Sequence, residues 1–478
     1  MAATPSSPTQ TRKKSLVVTD SPKFDLESYV NNYKGRTRYE RLILIGTTST
    51  FLGVEALKFA VAEAKAGVDV KRYTDAVAHL QVIGPDEKEA TLDSAWVSKR
   101  TSSNEHETKR LEAELRGYKN NLIKESIRMG NEDLGKHYHA IGDLPHAFEA
   151  YSRMRQDISI GKHIIDVSKH LIEVSIEQKN WLAVNANTQK IRGASATVLD
   201  DDKTLQPYLQ AVEGLGYLDG GHYEDAAVKF LGTNAGMLSG QSADVISPND
   251  IAVYGGLCAL ASMDRDEIQK KVLENSNFRS YLELEPHIRR AIAFFVNSRY
   301  TQCLEILESY RADYLLDIHL QKHVDFLYQQ VRSKSIVQYF IPFSCVTLDS
   351  LNTAFAAPSK TVEKELGQMI SRNELEARID TQNRLLTSVP SLPRANLQSA
   401  TLATARNYER EAQRRIQHMN ILSTELELKN PKPTHGSGGG GYGDDFDHRQ
   451  GTASSGVPSG MRGLIMANGR NLRGSNLH

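Results

Sequence analysis

Cysteine is scarce in this chain: three in 478 residues, Cys258, Cys303 and Cys345, scattered and odd in number. That argues against a disulfide framework, leaves no CxxC metal pair, and fits a reducing compartment. Net charge is also missing, because 58 Lys plus Arg balance 58 Asp plus Glu. A balanced chain has no general pull toward nucleic acid or an anionic membrane surface. No apolar run approaches the ~20 residues that a membrane-spanning helix needs. The N-terminus lacks an apolar signal core. It carries Arg12-Lys13-Lys14 instead, a patch compatible with nuclear import but too short to be specific. The expected location is cytoplasmic and nuclear.

Catalytic signatures are missing too. HExxH, GxxxxGK[ST] and GxSxG do not occur. His137-Tyr138-His139 is an H-x-H, as in the deubiquitinase-type zinc proteases, but the positions where those place Ser and Asp hold Ala147 and Ala150. On a helix, i and i+2 point to different sides and do not share a zinc easily, whereas i and i+4 would. Gly255-Gly256 lies in an apolar helical run, where glycine signals close helix packing more often than phosphate binding. The acidic pairs lie on helix faces beside Lys or Arg and form no convergent acid/base pair. The expectation is a non-enzyme with no cofactor and no metal.

What the chain does contain is helical periodicity and a repeat. Residues 1–22 are rich in Ser, Thr and Pro, a composition expected to be disordered. From Phe24 the pattern turns helical, with Leu26, Tyr29, Val30 and Tyr33 on one face, and a helical region runs over 23–130. Within it, 104–130 reads as one long, largely solvated helix with sparse Leu111, Leu115, Leu122 and Ile127. From Leu134 the segment LGKHYHAIGDLPHAFEAYSRMR resembles the tetratricopeptide pattern, L-G-x-x-Y leading to A-x-x-x-F/Y. Comparable turns follow, at 142, 180, 221, 262 and 298, in steps of 38, 41, 41 and 36. Helix–turn–helix content at a spacing near 40 predicts an α-solenoid, placed at 131–335.

The stretch 336–386 breaks this rhythm. Leu348, Leu351 and Phe355 predict one helix; Pro358 stops it and Ser359 caps the next, whose face is Val362, Leu366, Met369 and Ile370. Asn373 tolerates the left-handed turn that ends a helix. Leu375, Ala377 and Ile379 then alternate with charged residues, as in a half-buried strand. Leu385-Leu386 begins a return strand. Two helices plus a two-stranded wing make a winged helix. The second helix, 359–372, carries Lys360, Lys364 and Arg372 against Glu363 and Glu365, a net of +1. A DNA-reading helix has a clear basic excess, so protein contacts are favoured over nucleic acid. An exposed wing edge suits strand addition from another chain. Beyond Pro390 and Pro393, a helix over 396–429 carries a stripe of Leu397, Thr401, Ala405, Tyr408, Ala412, Ile416, Met419, Leu422 and Leu426. The Gly/Ser-rich tail 430–478 is expected to be disordered.

An α-solenoid running into a winged helix resembles the PCI module, shared by subunits of the proteasome lid, the COP9 signalosome and a translation initiation factor complex. The resemblance is closest to the COP9 signalosome subunit 1 family. It is carried by FDLESYVNNYKGRTRYERL (24–42), IKESIRMGNEDLGKHYHAIGDLPHAFEAYSRMR (123–155), SPNDIAVYGGLCALASMDRDEIQKKV (247–272), SNFRSYLELEP (276–286) and ARID (377–380). The match weakens over 46–110 and 185–210 and in the tail. It implies a mostly α protein: a right-handed solenoid of tetratricopeptide-like repeats, a winged-helix PCI subdomain, a C-terminal bundle helix and a disordered tail. It implies a non-catalytic scaffold that supports removal of the ubiquitin-like protein NEDD8 from the cullins of cullin-RING ubiquitin ligases. The zinc protease would sit on another subunit. Partners would be other PCI subunits, the protease subunit and cullin-RING ligases. Subunit contacts would fall on Leu375, Ala377 and Ile379 of the wing and on Ala405, Ala412, Ile416, Met419 and Leu422 of the bundle helix. Runner-up readings are a scaffold of the proteasome lid, a PCI protein that binds nucleic acid, and a metalloenzyme using His137 and His139.

Overall fold

The computed structural model describes residues 16–158, 161–193, 205–234, 245–355, 362–389 and 393–424. Expectations for 1–15, for the Pro358-Ser359 cap and for the 430–478 tail lie outside these residues. The chain divides into two units, 1–390 and 391–478.

The first unit begins earlier than composition suggests. The expected disorder over 1–22 is corrected at its end. Val18 is buried, donates its N–H to Thr48 O at 2.8 Å and pairs with Ser49 in a short parallel bridge. Helices follow at Leu26–Val30, Gly35–Thr48, Gly53–Ala66 and Val70–Ile83. Their apolar faces form a core with Leu42, Ile45, Leu57, Tyr73 and Leu80 at its centre. Ala312 and Leu316, from far down the chain, complete it.

The single helix expected over 104–130 is two: Ser94–Asn121 and Lys124–Ile141. Leu122 breaks it with a left-handed backbone, φ 55°, and leaves its own side chain 81% exposed. Only Leu111 and Leu115 of the first helix are buried, and its first turn adds Trp96 and Val97, partly buried against the N-terminal core.

The repeat turns share one mechanism. Helices Lys124–Ile141, Gly161–Glu177, Leu205–Asp219 and Pro286–Val296 end at left-handed Gly142, Lys179, Gly221 and Ser298. In each case the left-handed residue's N–H reaches three residues back, and the next N–H reaches five back. The second set is Asp143 to Tyr138 O, Asn180 to Ser175 O, His222 to Tyr217 O and Arg299 to Phe294 O, at 2.8–2.9 Å. This paired closure satisfies carbonyls that a helix end would otherwise leave bare. Asp143 and Asn180 then accept from N–H groups of the next helix and start it. Asn373 repeats the same closure in the winged helix, with φ 58° and Glu374 N–H on Met369 O. The turn at 262–264 differs: Met263 is extended, and the helix that follows is short, Arg265–Ile268. Small residues bring the paired helices together. A Cβ on Gly135 would stand 2.5 Å from the Tyr151 ring, which is why the L-G-x-x-Y element needs glycine there.

One continuous core runs from Ala211 to Leu386, so the last repeats and the winged helix are fused. The two-stranded wing is corrected to three strands. β1 (Cys345–Thr347), β2 (Ala377–Asp380) and β3 (Leu385–Ser388) pair antiparallel in the order β1-β3-β2. The extra strand precedes the first helix of the motif, Leu348–Phe355, and its three residues were too short to show a period. Leu375 is buried but lies outside β2, whose pairing starts at Ala377.

The second unit contributes one described element, the helix Pro393–Ser423.

Candidate subunit interface

The wing is built from short-range chemistry. Asp380 turns β2 into β3 by accepting from Gln382 N–H at 3.0 Å, Asn383 N–H at 3.2 Å and the Asn383 amide at 2.9 Å. These donors hold its carboxyl below the usual carboxylate range, the Asn383 side chain contributing most. The register sets Ala377 against Ser388 and Ile379 against Leu386. Ala377 and Leu375 are buried, while Ile379 is half-buried against the core. The three wing residues singled out from sequence are therefore brought together, with their side chains mostly facing inward. β3 is the central strand, so β2 presents an open backbone edge, with no strand partner on its other side among the described residues. An edge of this kind templates further pairing.

Two of the arginines around the wing are already paired. Glu365 meets Arg332 at 2.8 Å, and Arg384 lies 3.3 Å from Asp349 and 3.4 Å from Glu363. Cations held this way are poor phosphate ligands.

On Pro393–Ser423 the predicted stripe is present as a helix face. Leu397, Tyr408, Ile416, Met419 and Leu422 are exposed, Ile416 by 58% and Met419 by 65%; Ala405 is exposed and Ala412 half-buried. Leu426 lies outside the described residues. An apolar row at spacings of three and four is what a bundle partner covers.

His137 and His139 do diverge. His137 Nε2 lies 2.9 Å from Thr108 Oγ1, and His139 Nε2 lies 2.9 Å from Glu177 Oε1 on another helix. Among the described residues no group of three or more His, Cys, Asp or Glu is arranged to hold a metal ion, and no helix is long and apolar enough to cross a membrane.

What sequence reasoning missed is a buried clamp. Arg41 is fully buried. Its Nη1 lies 2.6 Å from Asp317 Oδ2 and its Nη2 2.9 Å from Asp250 Oδ2. It also donates to the Tyr29 and Tyr254 hydroxyls. The Tyr33 hydroxyl donates to Asp250 Oδ1 at 2.7 Å, and its ring lies 4.0 Å from the guanidinium. Tyr254 OH donates to Asp317 at 2.9 Å. Burial alone would raise the Asp317 carboxyl, but Arg41 overrides it and holds it low. Burial wins at Asp250, whose pKa is raised. A second tie joins Arg36 Nε to Glu177 at 2.6 Å and Arg36 Nη1 to His139 O at 3.0 Å. A cavity of about 360 Å³ lies beside the clamp, lined by residues including Lys23, Asn249, Glu285, His287 and Asp313. Several of its polar groups are spent on one another: Asn249 on Glu285 at 2.7 Å, Lys23 N–H on Asp313 at 2.9 Å, His287 on Tyr314 OH at 2.8 Å. The only hint in the sequence was the density of Tyr and Arg in 29–41.

Helical repeats fused through one core to a winged helix define a PCI-domain protein, and the PCI domain model matches residues 307–388. A model described as 26S proteasome subunit RPN7 matches 93–271, the region of the repeats. The chain is 51% identical over 423 residues to COP9 signalosome complex subunit 1 of Emericella nidulans, covering 86% of this chain and 84% of that one. It is 36% identical to the Arabidopsis thaliana protein of that name, covering 88% and 95%. A 26S proteasome non-ATPase regulatory subunit 6 from Dictyostelium discoideum is 22% identical, covering 69% and 85%. The chain belongs to the COP9 signalosome subunit 1 family.

Proposed function

We propose that this chain is a non-catalytic scaffold subunit of a COP9 signalosome, supporting removal of NEDD8 from cullins by a zinc protease carried on another subunit. The observation that carries this reading is the extent of the similarity. Relatives bearing the subunit name match over more than four fifths of both chains. The open edge of β2 and the apolar row on Pro393–Ser423 support it, since both are surfaces for protein partners rather than for a substrate. In this reading β2 adds to a neighbour's wing sheet, and the helix enters a bundle shared with other PCI subunits. The repeats reach toward cullin-RING ligases, and the protein works in cytoplasm and nucleus. A second reading, a scaffold of the proteasome lid, draws on the RPN7 model, but the proteasome relative shares 22% identity against 51%.

Affinity purification of the tagged chain from its own cells, with mass spectrometry of what accompanies it, decides between them. Recovery of PCI proteins with a zinc-protease subunit and cullins supports the signalosome. Recovery of proteasome ATPases moves the chain to the lid. A chain recovered alone or with RNA overturns both.

A further inference from the structure

The corner between the helices Ser94–Asn121 and Lys124–Ile141 breaks the local rules that later corners keep. At Gly142-Asp143 and Lys179-Asn180 a left-handed residue is followed by a side chain that caps the next helix. At the earlier corner the left-handed residue is Leu122, a large aliphatic side chain on a backbone that favours glycine. The cap position holds Ile123, which has no side-chain group to accept a hydrogen bond. The next helix then opens on Lys124, a cation at the end where the helix dipole disfavours one. Leu122 and Ile123 are both more than half exposed, so burial does not offset these choices. Consecutive residues that each work against local stability belong to functional sites, where another requirement outweighs folding.

The charge at this corner is one-sided. Lys119 and Lys124 flank the two aliphatic residues, are exposed, and form no ion pair among the described residues. Arg116 reaches only Glu112, at 3.9 Å. The nearest other carboxylates are committed, Glu114 to Arg110 and Glu125 to Arg128 at 2.7 Å. The helix Gly161–Glu177 adds His163, whose Nδ1 lies 3.9 Å from Glu125. An apolar tip beside unpaired cations is complementary to an apolar pocket rimmed by carboxylates. A flat anionic membrane fits it less well. Leu122 and Ile123 together offer less hydrocarbon than one myristoyl chain, which itself binds a membrane only marginally.

We infer that the tip at Leu122-Ile123 is a docking knob for another protein, inserting both side chains into an apolar pocket whose rim carries Asp or Glu opposite Lys119 and Lys124. The inference goes beyond the scaffold reading, which places contacts on β2 and on Pro393–Ser423, and it stands without that reading.

Photocross-linking finds the partner. The probe p-benzoyl-phenylalanine replaces Leu122 in the full-length chain in its own cells. The same probe at Tyr118, whose ring lies against Gly130, reports through an internal link that photolysis works. The expected product at 122 is one recurring adduct with a different protein, its linked peptide combining apolar residues with an excess of Asp and Glu. The variant L122G/I123S then separates binding from folding. Glycine suits the left-handed backbone and serine caps the next helix, so the free chain should keep or raise its urea midpoint. Affinity for the purified partner should nonetheless fall at least about tenfold, as it should in K119E/K124E, and it should weaken with salt. An adduct within this chain, with a second copy of it, or with a peptide lacking an acidic excess overturns the inference. So does the absence of any adduct at 122 while Tyr118 reports. A urea midpoint that falls in L122G/I123S makes the corner structural, and unchanged affinity removes the knob; either overturns the inference. Flotation of the chain with phosphatidylserine vesicles, lost in L122G/I123S, would make the tip a membrane contact, and the inference falls.

Discussion

Replacing Arg41 with Ala should release the N-terminal segment from the body of the protein. The substitution removes the cation shared by Asp250 and Asp317, two carboxylates with side chains no more than 8% exposed. Removing one partner of a buried pair leaves an uncompensated charge and costs about 3–5 kcal/mol. Every 1.4 kcal/mol is tenfold, so exchange protection of amides over Gly35–Thr48 should fall roughly 10²- to 4 × 10³-fold. The effect has a signed pH dependence. Without Arg41 burial is the largest influence left on both carboxyls, opposed by hydrogen bonds such as Tyr33 on Asp250 and Leu320 N–H on Asp317, so both should shift upward from their values in the parent. A raised carboxyl destabilises at pH above its folded pKa, and the penalty disappears as pH falls below the unfolded value. The gap between variant and parent should therefore narrow from pH 8 to pH 5. The triple variant R41M/D250N/D317N should recover most of the loss, since replacing a buried ion set by neutral groups of similar shape is often close to neutral. Hydrogen exchange with mass spectrometry reads all three comparisons. Protection over 35–48 unchanged within about twofold in R41A at pH 8 would refute the clamp.

Other expectations follow from single contacts. Ile379→Asp places a charge on the half-buried face of β2 opposite Leu386 and should cost about 1–3 kcal/mol; a variant that keeps both its urea midpoint and its co-purifying partners would contradict the role given to this strand. Deleting 396–429 should detach the chain from its complex while far-ultraviolet circular dichroism still reports folded repeats, and normal co-purification would sink the bundle reading. Gly135→Ala drives a methyl into the Tyr151 ring and should cost about 1–3 kcal/mol, with Tyr151→Leu partly rescuing it. Metal analysis of the purified chain should find no stoichiometric zinc; zinc lost on H137A/H139A would revive the metalloenzyme reading.

The repeats were legible because their signals are local. A left-handed residue, a cap and a small residue opposite an aromatic lie within about twenty positions of one another, as at Gly135, Gly142, Asp143 and Tyr151. The winged helix was legible for the same reason, and Asn373 closes its helix as its residue type implied. β1 was not, because three residues carry no measurable period, and its pairing with β3 crosses some forty residues. The break at Leu122 was hidden because Leu is an unusual residue for a left-handed turn. The clamp was hidden for a different reason. Arg41 and Asp250 are ordinary in their own helices and Asp317 in its loop, and their meaning arises only from separations of 209 and 276 positions.

Those separations give the clamp its significance. In a repeat array each unit touches its neighbours, so nothing in the array itself fixes one end against the other. Asp250 falls inside the region matched by the RPN7 model and Asp317 inside the PCI domain, while Arg41 belongs to neither. The N-terminal segment therefore staples the two matched regions together. A buried ion set is a weak source of stability but a demanding test of geometry, because each charge is costly until all three segments arrive. Arg41 is satisfied only when the helix Pro248–Ser262, the loop at Asp317 and the segment 29–41 are in register. A scaffold whose surfaces must meet several partners at once has a use for such a check. It makes correct docking of the N-terminal segment a condition for the winged helix and the last repeats to hold their places relative to it.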